Sequence, residues 1–97
     1  SPTTAMREKA LEKAKKQLDE WNSEIDKLEA QGEQLSGDAL QKYNHQVYDL
    51  RQQLKPYRIK LDELMASGQE NWDALMDELD HVGKTFVQSF NYFKSQL

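Results

Sequence analysis

The stretch QGEQLSGDA, residues 31–39, sets two glycines and a serine between segments that otherwise read as uninterrupted helix. If it is a turn, the chain folds back on itself as a bundle; if it stays helical, the chain is a rod that needs a partner. Gly32 and Gly37 each cost about 1 kcal/mol in a helix interior, and Ser36 followed by Asp38 is a helix-start signal. Propensity therefore favours a turn. Against it, Gly32, Leu35 and Ala39 continue the apolar phase of the residues upstream, which a loop has no need to do.

That phase is a heptad seam. Leu11, Ala14, Leu18, Trp21, Ile25, Leu28, Gly32, Leu35 and Ala39 follow one another in steps of three and four. After two consecutive steps of four, a stutter, the seam resumes as Tyr43, Val47, Leu50, Leu54, Tyr57, Leu61 and Leu64. A third run comprises Trp72, Leu75, Leu79, Val82, Phe86, Phe90, Phe93 and Leu97. Period-two alternation of useful length is missing, which argues against strands. Ser67 and Glu70, spaced as a capping box, predict a helix start there, with Asp73 adding negative charge near its positive end. Pro56 interrupts the second run and predicts a kink, since it removes a backbone hydrogen bond at a cost of about 3 kcal/mol. The first five residues, SPTTA, precede the helical pattern and read as an addition ahead of a natural Met6.

Charge alternates in blocks along the chain. Residues 7–16 carry five basic and two acidic side chains, 17–33 six acidic and one basic, 42–60 five basic and one acidic, and 70–80 five acidic and none basic. A reversal near Ser36 sets Arg51 and Lys55 beside Glu20 and Asp19. A second reversal at Gly68 turns Lys55, Arg58 and Lys60 towards Asp73, Asp77 and Glu78, and brings Lys13 and Lys16 towards Asp77 and Asp80. Each surface pair contributes only a few tenths of a kcal/mol, but the alternation disfavours wrong registers. The expected fold is thus an all-α antiparallel bundle of three segments, about 6–35, 38–66 and 69–96, in one domain. The alternative is one long helix over 6–66, about 90 Å long, with a return helix over 69–96. Its uncovered first half, including Trp21 and Ile25, would require an elongated dimer.

Composition excludes several function classes. The 97 residues contain no cysteine, which removes disulfides and thiolate metal sites and fits a reducing, cytoplasmic setting. A net charge of −4 argues against an electrostatic grip on nucleic acid. No apolar run approaches the ~20 residues that a membrane span needs.

His45 with Asp49, and His81 with Asp77, each form at most a two-ligand helix face, so no metal, cofactor or catalytic residue is assigned. Trp21, Ile25, Trp72, Phe86, Phe90 and Phe93 are read as core anchors. Tyr48, Ile59, Met65, Met76, Val87 and Tyr92 lie off the main seams and form the candidate interaction surface, for a second copy or another protein. The C-terminal FVQSFNYFKSQL, residues 86–97, raises an alternative: a reversible membrane-surface or holdase-like stress protein. Lys84 and Lys94 are the only basic residues nearby, which weakens its membrane version.

The run LDEWNSEIDKLEA at 18–30, Tyr43, Leu50-Arg51, KLDEL at 60–64 and the Ser-Gly before Trp72 and Leu75 together resemble a group of small bacterial coiled-coil proteins of uncharacterised function. The resemblance covers nearly all of the chain from Met6. It implies a soluble helical protein with no assigned enzymatic activity, and transfers no catalytic residue. The group carries helix-favouring residues where this chain has Gly32, Gly37 and Pro56, a departure at the stretch that decides the fold. A looser likeness, of architecture only, is to spectrin-like three-helix repeats.

Overall fold

The computed structural model describes residues 2–97 and contains three long helices: α1 (Thr4–Gln31), α2 (Gly37–Ala66) and α3 (Gln69–Ser95). Their apolar stripes recur at helical spacing, and burying three such stripes together gives an up-down-up bundle of 52 × 20 × 17 Å. α2 is the central element, packing against both α1 and α3.

The chain turns within residues 31–39. α1 ends at Gln31, a single 3₁₀ turn covers Gly32–Gln34, and the Leu35 amide closes it on the Gly32 carbonyl at 2.9 Å. Ser36 is extended and Gly37 has φ of +59°, a left-handed conformation that costs glycine nothing. Gly32 keeps the seam in phase for a steric reason. The Tyr43 ring lies against its bare Cα, and a Cβ there would come within 2.5 Å of Tyr43 Cε1. The Tyr43 hydroxyl then donates to the Leu28 carbonyl, tying the start of α2 to the last turn of α1.

Two local expectations are corrected. The first helix starts before residue 6: α1 begins at Thr4, and the Thr3 Oγ1 accepts the Met6 amide at 3.2 Å as an N-cap. Ser67 does not open α3. Its hydroxyl donates to the Leu64 carbonyl and so closes α2, which leaves Gly68 as the N-cap of α3 without a side-chain bond. α2 continues through Pro56, in keeping with the apolar register that runs on past it. That proline faces solvent, so the Gln52 carbonyl that loses its partner can turn to water while Leu54, Tyr57 and Leu61 stay buried.

The core follows the predicted seams closely. Ile25, Leu64, Leu79 and Phe86 are completely enclosed, and Trp72, Phe90 and Phe93 are buried with them. Tyr43 meets Phe93 edge-on at 5.4 Å near the turn, while Trp21 meets Tyr57 at 4.9 Å and Phe86 at 5.0 Å at mid-bundle. On α3 the buried position between Leu79 and Phe86 is Gly83, with Val82 only half-buried beside it.

Candidate interaction surface

Two of the three helix pairs are clamped by charge. Arg51 on α2 holds Asp26 at 2.8 Å and Glu29 at 3.0 Å on α1. Its hydrogen bond to Asp26, with further help from Glu29, raises the guanidinium pKa against the opposing effect of burial. These partners lie nearer the turn than the expected Asp19 and Glu20, because a helical side chain leans towards the N-terminus of its own helix. Lys60 on α2 holds Glu78 on α3 at 2.9 Å, supported by Glu63 at 3.2 Å, and the bond to Glu78 raises its pKa.

The parallel pair, α1 and α3, is different. Among the described residues no ion pair joins them, and their backbones nowhere come within 8 Å, Cα to Cα. They meet through side chains alone: the Arg7 guanidinium stands over the Trp72 ring at 5.2 Å at one end, and Trp21 wedges in at the middle. Gly83 gives that wedge room. A Cβ on it would come 3.3 Å from Trp21 Cη2 and 3.2 Å from Tyr57 Cε2.

Below the wedge the pair opens into a groove of about 420 Å³. Ala10, Ala14 and Gln17 line one side, Met76 and Asp80 the other, with Trp21 at the end and Tyr57 on the floor. Burial, and then the nearby negative charge of Asp80, pushes the Tyr57 hydroxyl pKa up, so the floor stays neutral. Lys13 stands at the rim of α1 opposite Asp80. The groove therefore combines an apolar, aromatic interior with edges of opposite charge, a surface suited to an amphipathic helix.

The six residues expected to form one interaction surface are divided among several faces. Met76 is half-buried and belongs to the groove, and Val87, one heptad beyond Asp80, continues the same edge of α3. Tyr48 stands in the α1–α2 furrow beside Leu40 and Arg51, and Tyr92 in the α2–α3 furrow beside Leu50 and Gln88. Ile59 and Met65 are exposed on α2. Of the core anchors, Ile25, Trp72, Phe86, Phe90 and Phe93 are buried, whereas Trp21 is only half-buried because one side of its indole faces the groove.

Gly83 and Ala10 were not legible as site residues. A lone glycine inside a helical run was the one signal that two backbones or a large ring approach there.

His45 lies 3.6 Å from Asp49, both exposed, and no group of three potential metal ligands occurs among the described residues. No helix there is long and apolar enough to cross a membrane. Comparison with protein families, curated proteins and solved structures finds no match to this chain.

Proposed function

We propose that this chain is a non-catalytic helical interaction protein, which associates with a second copy or a protein partner by taking a further helix along the α1–α3 groove. One observation carries the proposal: α1–α2 and α2–α3 are closed by Arg51 and Lys60, whereas α1–α3 is unclamped and presents Trp21, Met76 and Tyr57. An entering helix would lay its apolar stripe on Trp21, Met76 and Val87. Lys13 on one rim and Asp80 on the other would orient it by charge. A cysteine-free chain suits such a role in the cytoplasm.

Self-association is the most concrete form of this function. Sedimentation velocity of protein that has never been unfolded, over a wide concentration range, is expected to show fast, reversible association that Met76→Glu abolishes and Ile59→Glu leaves unchanged. A single monomeric species at every concentration sinks the self-association form. The membrane-surface or holdase-like reading has no comparable support, because Phe86, Phe90 and Phe93 are already occupied in the core.

A further inference from the structure

The heptad phase runs from Leu28 through Gly32, Leu35 and Ala39 to Tyr43, but the folded chain uses only part of it. Gly32 is explained by the Tyr43 ring. Leu35, 39% exposed, and Ala39, also exposed, occupy seam positions that their own chain covers only in part. α3 finishes at the same end of the bundle, where Leu97 is 62% exposed. Leu35, Ala39, Tyr43 and Leu97 line one hollow of about 580 Å³. The link between the helices is short: beyond the 3₁₀ turn, only Leu35 and Ser36 are non-helical, and Gly37 alone has a positive φ. Short links of this kind invite exchange of an element between copies.

We infer that this end of the bundle is an interface for a second copy of the chain, formed by exchange of α1. The link straightens, α1 and α2 merge into one helix about 95 Å long over residues 4–66, and each α1 packs in the place that the partner's α1 has left. The contacts of α1 are remade between chains: Arg51 with Asp26 and Glu29, Trp21 with Tyr57 and Phe86, and the Tyr43 hydroxyl with Leu28. What is new lies at the crossing. There the two straightened links run antiparallel about a two-fold axis, and Leu35 and Ala39 of both chains find the apolar neighbours that their seam positions call for. The link alone distinguishes the closed monomer from the exchanged dimer, so its residues set the balance. This interface goes beyond the α1–α3 groove, which has the same composition in either state.

The absence of cysteine allows unique spin labels through Asp19→Cys and Arg58→Cys, both at exposed positions. In the closed chain the two sites lie on neighbouring helices whose axes are about 10 Å apart. In the merged helix they are separated by about 58 Å. Chains labelled only at 19 are mixed with chains labelled only at 58, unfolded, and refolded together at high concentration. Exchange predicts a distance under about 20 Å between chains of the dimer, unaffected by Met76→Glu. Gly37→Ala is expected to raise the dimerisation constant about tenfold or more, because alanine is strained at φ of +59° in the closed turn and favoured in the straight helix. A Gly37→Ala chain that stays monomeric overturns the inference. So does a dimer that keeps the short 19–58 distance within each chain, an outcome that leaves the groove as the interface.

Discussion

Replacing Gly32 with alanine is expected to destabilise the bundle, although the residue has helical dihedral angles (φ −69°, ψ −18°) and alanine is the better helix former by about 1 kcal/mol. The added Cβ would overlap the Tyr43 ring, approaching Cε1 to 2.5 Å. Tyr43 is buried between Gly32 and Phe93, so the ring has to swing outward as a whole. Its hydroxyl then loses the Leu28 carbonyl, at a cost of about 1 kcal/mol. Partial loss of its packing costs about 2 kcal/mol, roughly half of what complete truncation of a buried aromatic costs. Set against the propensity gain, the net loss is about 2 kcal/mol, or a fall in Tm of about 8–16 °C for a domain of this size. Thermal and urea unfolding followed by circular dichroism, at low protein concentration, measures it. The control is a double-mutant cycle with Tyr43→Leu, in which Gly32→Ala should cost less than about 0.5 kcal/mol because the ring is gone. If Gly32→Ala is neutral or stabilising in the natural chain, Tyr43 does not rest on Gly32 and the account of the turn is wrong.

Pro56→Ala restores an amide donor to the Gln52 carbonyl on a solvent-facing position, and should stabilise the chain by about 2 kcal/mol, seen as a higher urea midpoint. Arg51→Ala removes the α1–α2 clamp from a site 33% exposed; the expected loss is about 1 kcal/mol, shrinking in concentrated salt. The hydroxyls of Tyr43 and Tyr57 have pKa values raised from 10.0, both by burial and Tyr57 also by Asp80, while Lys60 is raised from 10.5 by Glu78. The folded chain therefore keeps protons that the unfolded chain releases. Stability from these groups is complete below about pH 10 and declines as pH rises further. Urea midpoints across the alkaline range should show this decline, and Tyr57→Phe should flatten it.

Helix type and core were readable because each seam repeats at a fixed spacing over four or more turns, long enough for the period to outweigh local exceptions such as Pro56. Ile25, Trp72 and Phe86 were identified as core from that period alone. Single side chains with two possible partners were harder. Ser67 satisfies the helix behind it instead of the helix ahead, and nothing in the local pattern ranks one helix end above the other. The charge blocks indicated two reversals but not the partners of Arg51, whose reach depends on the lean of its side chain. The groove lay deepest from view. It exists because α1 and α3 are each clamped by charge to α2 but not to one another, and because Gly83 leaves room for Trp21, both properties of three-dimensional packing.

The central claim is that the chain reverses at Gly32–Gly37 into a compact three-helix bundle. Small-angle X-ray scattering of dilute, monomeric protein tests it most directly. The structure has a Cα radius of gyration of 16.0 Å, so a value close to this, enlarged only by side chains and hydration, is predicted. A helix extended over residues 4–66 would by itself have a radius of gyration of about 27 Å. A monomer near that figure would contradict the turn and the groove that depends on it.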